Sequence, residues 1–230
     1  MTIERLTVPA IAAPHAFLGR TGGVSRGLYA SLNLGTGSDD EPALVSANRD
    51  RAVAAVLPGA RLVTVRQVHS ADVVTVDAPI ALDRRPEADA MVTRTPGLLL
   101  GILTADCAPL LLHDPEAGVA GAAHAGWKGA LGGIVARTVE AMAALGADPA
   151  RIRAAVGPCI ARRSYEVDAG FHARFLGADE SHDRFFAPGR PGHFQFDLEG
   201  FVGAQCAAAG IGQVTLLGED TYSQAQRFYS

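Results

Sequence analysis

The chain has 230 residues, of which 48% are apolar and 19% are charged, with a formal net charge of −4. This composition is typical of a folded globular protein and excludes an intrinsically disordered chain. No run of basic residues is longer than two, so neither nucleic acid nor an anionic membrane surface is expected as the main partner.

The cysteines and the N-terminal segment indicate the cellular setting. Cys107, Cys159 and Cys206 are odd in number and widely spaced, which is not the pattern of a disulfide framework. The N-terminal segment lacks the basic start and unbroken apolar run of a signal peptide. No apolar run approaches the roughly 20 residues needed to span a bilayer. We therefore expect a cytoplasmic protein, and the length of 230 residues allows a single domain over residues 1–230.

The first half of the chain is predicted to contain a glycine-rich loop, one helix and several strands. The loop covers residues 19–35 and is typical of successive turns. The helix covers residues 39–57, with acidic residues near its start and with apolar residues at Leu44, Val45, Val53 and Val56. Segments rich in valine, leucine or alanine predict strands at 60–69, 71–77, 87–93, 97–114 and 118–127.

The second half continues with helices between shorter strands. A helix over 129–146 would place Ile134, Val135, Val139 and Met142 on one face and end at Gly146. The remaining predicted elements are a strand at 151–160, a short helix at 165–176, a strand followed by a helix over 193–210, and a strand at 213–218. Strand pairs interrupted by helices favour a mixed α+β fold over regular βαβ alternation. The chain contains no dinucleotide-binding or P-loop glycine motif.

A predicted hairpin carries a cysteine and a histidine in otherwise apolar strands. If residues 114–117 form its loop, His113 faces Gly118. Cys107 would then face His124, with Cβ atoms about 4.5–5.5 Å apart. A thiolate and an imidazole at that separation can share one zinc ion or form an ion pair. Each residue could equally be an inert part of the core.

Six segments in a fixed order resemble those of one protein family. They are GRTGGVSRGLYASLNLG (19–35), RQVHSADV (66–73), EADAMVT (87–93), LTADCAPLLL (103–112), AAHAGWKG (122–129) and VGPCIARRSYEV (156–167). The family is the YfiH-like family, also called the multicopper polyphenol oxidase or laccase-domain family and, later, a purine nucleoside phosphorylase family. Residues 220–230 resemble its C-terminal motif, which normally continues with a Tyr-Arg-Arg-like segment. We interpret the motif as truncated here.

The resemblance implies both a fold and an activity. The implied fold has mixed β-sheets in a four-layer α/β/β/α sandwich, similar to that of a bacterial toxin deamidase. His69, Cys107 and His124 are implied to bind one zinc ion, with a fourth position left for water or substrate as in catalytic zinc sites. The implied reaction is phosphorolysis of adenosine, inosine, guanosine and methylthioadenosine, with adenosine deamination as a side activity. The expected partners are purine nucleosides and phosphate, bound by a monomer or a homodimer.

Three further residues are candidates for the reaction. Two of them are candidate phosphate contacts: Arg20, in the glycine-rich loop, and Lys128, one turn beyond His124. The family usually has arginine at the latter position, and lysine lacks its bidentate fork. Asp106 is a candidate proton carrier, although strand alternation points it away from the neighbouring cysteine.

Other interpretations of these residues stay open. Two histidines and one cysteine also form blue-copper sites, so the alternative cofactor is Cu²⁺ in a laccase-like polyphenol oxidase. Seven histidines without any His-x-His pair are too few for a four-copper laccase. Cys107 and His124 could instead be the nucleophile and base of a thiol hydrolase, such as a peptidoglycan-precursor editing enzyme. A binding module with structural zinc would need a fourth ligand, for which Cys159 is the candidate.

Overall fold

A computed structural model describes residues 2–230, which form helices and strands around one six-stranded sheet. The helices are α1 (Pro42–Val56), α2 (Trp127–Leu131), α3 (Ile134–Ala144), α4 (Ala169–Ala178) and α5 (Leu198–Ala208). The strands are β1 (Arg5–Leu6), β2 (Phe17–Leu18), β3 (Arg61–Val63), β4 (Val73–Thr75), β5 (Ala90–Thr93), β6 (Leu98–Leu100), β7 (Ala108–Asp114), β8 (Val119–Ala125), β9 (Arg153–Val156), β10 (Glu166–Asp168), β11 (Phe186–Pro188), β12 (His193–Phe196) and β13 (Gln213–Leu216). None of the described helices combines the length and the apolar character needed to cross a membrane.

The central sheet is mixed, with the strand order β13-β9-β7-β8-β5-β4. Its two outer pairs, β13 with β9 and β4 with β5, are parallel, whereas the inner pairs are antiparallel. Smaller sheets join β1 to β2, β3 to β6, and β12 to both β10 and β11. This arrangement confirms the predicted mixed α+β class.

Both faces of the central sheet are buried, and strand β5 shows how. Ala90 and Val92 pack into the large core that contains the apolar faces of α3 and α5. Met91, which points to the opposite face, packs with Val63 of β3 in a second core. Because side chains alternate along a strand, helices cover one face of the sheet and a second β layer, β3 with β6, covers the other. Helix α1 contacts the segment that follows β3 through Arg49, which donates to the Thr64 hydroxyl.

Helix α1 buries polar residues on the face where apolar ones were expected. Its buried positions are Val45, Asn48, Arg49 and Ala52, so only one of the four predicted apolar residues is fully buried. The Asn48 amide donates to the Ser25 hydroxyl and to two backbone carbonyls of residues 31–33. The helix therefore holds the glycine-rich loop through hydrogen bonds.

Two predicted elements are divided in the structure. The helix expected over 129–146 separates into α2 and α3 because Gly133 adopts a left-handed backbone conformation, with φ of 88°. The strand expected over 97–114 becomes β6 and β7, which belong to different sheets. The connection between them, residues 101–107, crosses from one β layer to the other and places Cys107 directly before β7, an interior strand of the central sheet.

The β7–β8 hairpin is confirmed, but its predicted register is wrong. Asp114 pairs with Val119, so the loop is residues 115–118 and His124 faces Pro109 instead of Cys107. The Asp114 carboxylate accepts the backbone N–H groups of the next two non-proline residues, which moves the turn one residue along the chain. Cys107 and His124 are therefore diagonal neighbours. A shift of two in the pairing leaves both side chains on the same face of the sheet.

Candidate metal centre

Three side chains from separate segments meet at one end of the hairpin. His69 follows β3, Cys107 immediately precedes β7, and His124 lies in β8. One ligand atom from each lies within 4.8 Å of the others. The Cys107 sulfur is 4.0 Å from His69 Nε2, and the two imidazole centroids are 4.8 Å apart. The group combines two nitrogen donors with one sulfur donor.

A fully buried carboxylate, Asp89, organises this group. It lies just before β5, and its Oδ1 accepts a hydrogen bond from His124 Nδ1 at 2.7 Å. Because an ionised carboxylate can only accept, Nδ1 carries the proton, and His124 Nε2 is left with a free lone pair. This second contact fixes both the tautomer and the ring orientation, as it does for metal-binding histidines in general.

The same carboxylate holds the loop that carries the first histidine. Asp89 accepts the backbone N–H groups of Val68, His69 and Ser70 at 2.7–3.1 Å, and also the Ser70 hydroxyl at 3.0 Å. His69 has a φ of 60°, an uncommon conformation for a residue with a side chain. The convergent hydrogen bonds stabilise that conformation and direct the imidazole towards the other two side chains.

The protonation states of His124 and Asp89 suit the binding of a cation. Burial lowers the pKa of His124, although its hydrogen bond to Asp89 acts in the opposite direction. His124 is thus neutral at pH 7, which is the form that binds metals. Burial alone would raise the pKa of Asp89, but its hydrogen bonds to His124, Ser70 and Val68 hold it below the ordinary value. Asp89 therefore stays ionised.

The pKa of the Cys107 thiol is raised, whereas those of His124 and Asp89 are lowered. Burial, together with the negative charges of Asp106 and Asp89, raises its pKa to about 11. The side chain is consequently a neutral thiol at pH 7 while no cation is nearby. A metal ion supplies the positive charge that removes this proton, since a coordinating thiol is bound as thiolate.

Gly126 leaves the space in which the three groups meet. A Cβ atom at this position would lie 2.9 Å from the Cys107 sulfur, 3.0 Å from His69 Cδ2 and 3.7 Å from His124 Nε2. Among residues 2–230, no further His, Cys, Asp or Glu joins the group; Cys159, the candidate fourth ligand, is buried elsewhere. Three such side chains with room for a fourth partner could hold a metal ion that also binds water or another small molecule.

The three side chains open into a cleft of about 680 Å³ between the two β layers. Its floor is formed by alternate residues of the hairpin, which include Pro109 and Leu111 of β7 and Ala122 of β8. The opposite wall is mainly apolar and comes from β3, β6 and the C-terminal segment: Leu62, Leu98, Leu100, Ile102 and Phe228. A cleft with mainly apolar walls and a few polar groups, among them Arg49 and Gln67, suits a flat organic ligand with a few polar atoms.

Sequence comparison identifies the family. The model of the multi-copper polyphenol oxidoreductase laccase family matches residues 14–230. The chain belongs to this family. Its relatives include a Deinococcus radiodurans protein named "Purine nucleoside phosphorylase", which is 48% identical over 226 residues, 98% of this chain and 85% of that protein. A Streptomyces griseus protein, "Purine nucleoside phosphorylase ORF3", is 46% identical over 92% of this chain and 86% of its own length.

Solved structures of the family have the same fold. The Neisseria meningitidis protein NMB0706 is 31% identical, has a TM-score of 0.87, and is matched over 100% of this chain and 93% of its own. YlmD from Geobacillus stearothermophilus is 28% identical, has a TM-score of 0.88, and is matched over 100% of this chain and 90% of its own. The resemblance found in the sequence motifs is thereby confirmed.

Asp106 lies beside the metal centre but outside the group of three ligands. Its Oδ1 accepts the Thr221 hydroxyl at 2.6 Å, its Oδ2 accepts the Ser230 hydroxyl at 3.1 Å, and its backbone carbonyl accepts the N–H of Ile160 at 2.9 Å. With a φ of 77°, it is also in the left-handed region. The contacts connect the residue before Cys107 to the C-terminal segment.

The two candidate phosphate contacts face other partners. Arg20 donates to the carbonyl of Ala30 at 3.1 and 2.9 Å and to that of Ala225 at 3.0 Å, and it covers the ring of Tyr229. It therefore fastens the glycine-rich loop to the C-terminal segment. Lys128 is exposed, with its nitrogen 5.6 Å from the ring centroid of the adjacent tryptophan. Neither residue lines the cleft.

Sequence reasoning missed the organising role of Asp89. The residue is part of the EADAMVT segment that carried the resemblance, but it received no role. The signal present in the sequence is an acidic residue between alanines at the start of an apolar strand, a position where an unpaired charge would be costly. Its partners are 20 and 35 residues away along the chain.

Proposed function

We propose that the chain is a purine nucleoside phosphorylase whose reaction depends on a zinc ion bound by His69, Cys107 and His124. Two relatives that bear this name cover most of the chain at 48% and 46% identity, which supports the reaction. The observation that carries the metal is the convergence of two imidazole nitrogens and one sulfur within 4.8 Å. A ligand set of this kind is common for zinc.

Copper is the second candidate metal, because the family name refers to it and two histidines with a cysteine also occur in blue-copper sites. Those sites often add a weak axial methionine. Met91 and Met142 are fully buried in hydrophobic cores and do not line the cleft. The part of the chain described by the structure thus supports zinc over a blue-copper centre.

A thiol hydrolase is less well supported by the same geometry. Its nucleophile would have to ionise near neutral pH, but burial and two neighbouring carboxylates raise the pKa of Cys107 to about 11. The Asp89–His124 pair alone would suit a general base, but the Cys107 sulfur approaches His69 Nε2 instead, at 4.0 Å. The cysteine therefore suits a metal ligand better than a free nucleophile.

The residues of the chain would contribute binding and orientation to the reaction. In phosphorolysis a phosphate oxygen bonds to C1′ of the ribose while the purine leaves with the bonding electrons and takes up a proton. The apolar walls of the cleft would bind the purine and exclude water, and Asp89 would keep His69 and His124 in place. Bound zinc would act as a Lewis acid on a polar substrate atom. We propose that Asp106 is a positioning residue for Cys107, since its carboxylate is held by two hydroxyl groups.

The test combines metal analysis with product analysis. Purified protein should contain about one zinc per chain, and inosine or guanosine should yield the free base and ribose 1-phosphate only when phosphate is added. Adenosine should give adenine with phosphate, and inosine without phosphate if the deaminase side activity is present. Oxidation of phenols by the copper-loaded protein, with no nucleoside turnover by the zinc-loaded one, would replace this proposal by the oxidase.

A further inference from the structure

Arg49 is a buried cation in helix α1 with no role in the metal centre. Only 8% of its surface is exposed. Its Nη1 donates to the carbonyl of Leu34 at 3.2 Å, and its Nη2 donates to the Thr64 hydroxyl at 3.0 Å. Both acceptors are neutral, and they use two of the five N–H donors of the guanidinium.

No carboxylate compensates this charge. Among residues 2–230, none of the ion pairs includes Arg49. Asp40, an acidic residue of the preceding loop, accepts hydrogen bonds from Ser25 and Asn33 instead. Burial and a second cation, Arg85, lower the pKa of Arg49. A buried charge without a counter-ion is unfavourable, so an anion at this point would stabilise the protein.

The position of Arg49 relates that unpaired charge to the candidate active site. Arg49 and both of its acceptors, Leu34 and Thr64, line the cleft into which His69 and His124 open. On its other side Arg49 borders a second cavity of about 630 Å³. Because Leu34 and Thr64 belong to the wall of the first cleft and not to the second, their hydrogen bonds direct the guanidinium towards the candidate active site.

We propose that Arg49 binds a phosphate group in this cleft. A guanidinium presents paired N–H donors that match two oxygens of a phosphate, and the anion would supply the charge that the surrounding residues lack. The assignment of this group to the phosphate co-substrate rests on the proposed function. The same chemistry would also recognise the 5′-phosphate of a nucleotide, and the experiment distinguishes the two sources.

The variants are Arg49→Met, which removes the charge and keeps much of the apolar stem, and Arg49→Lys, which keeps the charge without the fork. Arg51→Met is the matched control, because Arg51 is an exposed arginine on the same helix. With zinc-loaded protein, Arg49→Met should raise KM for phosphate about 10- to 100-fold, as expected for the loss of a charge-assisted hydrogen bond. KM for inosine should change less than about twofold. The KM for phosphate of Arg49→Lys should lie between those of Arg49→Met and the wild type, whereas that of Arg51→Met should equal the wild-type value.

A binding measurement makes the test independent of turnover. Inorganic phosphate should raise Tm of the wild type and of Arg51→Met in a concentration-dependent manner, and should have no such effect on Arg49→Met. If inosine 5′-monophosphate gives the Arg49-dependent shift and inorganic phosphate gives none, the phosphate group recognised is that of a nucleotide.

Three outcomes separate this proposal from the proposed function. An Arg49-dependent Tm shift in a protein that lacks phosphorolysis would refute the function and retain the anion site. Phosphorolysis with an unchanged phosphate KM and equal Tm shifts in wild type and Arg49→Met would overturn the anion site. Should Arg49→Met not fold, an Arg49→Lys protein with a wild-type phosphate KM and a wild-type Tm shift would also overturn it.

Discussion

Two carboxylates, Asp89 and Asp114, are both fully buried and both have a lowered pKa, but they bind different partners. Each accepts several hydrogen bonds that hold its pKa below the ordinary value although burial opposes this. Asp114 binds the N–H groups of its own turn, the N–H of Asp148 and the guanidinium of Arg151. Asp89 binds the His124 imidazole and the loop around His69. Burial and a low pKa are thus common to both carboxylates, and only their partners differ.

The contrast has a simple chemical basis. The partner of Asp89 has a second nitrogen, and its ring lines the open cleft, so the hydrogen bond sets the orientation of a group in that cleft. The partner of Asp114 is a partly exposed arginine that also contacts Glu116 and Asp148, so its bonds join β7 to the segment before β9. We expect changes at the Asp89 end of the sheet to reduce activity first and changes at the Asp114 end to reduce stability first.

The largest expected effect comes from Cys107→Ala. This change removes the only anionic ligand of the proposed zinc ion, and nucleoside turnover should fall by more than about 100-fold, because even changes of residues behind metal ligands cost about 10- to 100-fold. The free energy of unfolding of the metal-free protein should fall by less than about 3 kcal/mol. Zinc content, adenosine conversion by chromatography and thermal melting provide the measurements. A folded Cys107→Ala protein with full activity would contradict both the zinc and the thiol mechanisms.

Asp89→Asn tests the organising carboxylate directly. The neutral amide is a weaker acceptor for His124 Nδ1 and for the backbone of residues 68–70, so zinc affinity should fall about 10- to 100-fold. Competition with a chelator of known affinity measures this loss, and added zinc should restore part of the activity. Equal zinc affinity in the variant and the wild type would show that the ligands are held without Asp89.

Asp114→Asn is the matched change at the structural carboxylate. It leaves Arg151 without its buried partner and weakens two turn hydrogen bonds, and the free energy of unfolding should fall by about 2–4 kcal/mol. Well below Tm, kcat/KM and zinc content should equal those of the wild type. Chemical denaturation and initial rates on the same samples measure both quantities. A loss of kcat/KM in folded protein would remove the distinction between the two carboxylates.

The three side chains that meet at the end of the hairpin were named from the sequence, but their arrangement was not. Hairpin alternation placed Cys107 and His124 on one face, but the register was wrong because the side chain of Asp114 bonds to the turn backbone. The third ligand, His69, came from the family resemblance, since no local pattern relates it to the hairpin. Pairing of β5 with β8 brings Asp89 to His124, and such pairing between distant segments cannot be obtained from periodicity.

Helix α1 shows a second limit of sequence patterns. Apolar periodicity predicted its boundaries within three residues, but its buried face carries Asn48 and Arg49. A rule that places apolar residues inside assigns such polar residues to solvent. Their burial depends on acceptors supplied by the glycine-rich loop and β3, which only the assembled fold provides. The fold class was therefore predictable, whereas the polar contacts around the three side chains were not.

The smallest expected effect is the acid dependence of Asp114. Its pKa is about 2 in the folded protein, compared with the ordinary 3.8. Because the folded state favours the ionised form, this group contributes stability that is fully present above pH 4 and is lost as the pH falls through 2. The difference in pKa corresponds to about 2 kcal/mol.

The difference in free energy of unfolding between wild type and Asp114→Asn should therefore narrow by about 2 kcal/mol between pH 4.5 and pH 2, as measured by urea denaturation. A wild-type advantage over Asp114→Asn that stayed constant down to pH 2 would mean that the carboxyl is not held ionised by Arg151 and the turn, and the physical similarity between the two carboxylates would then be lost.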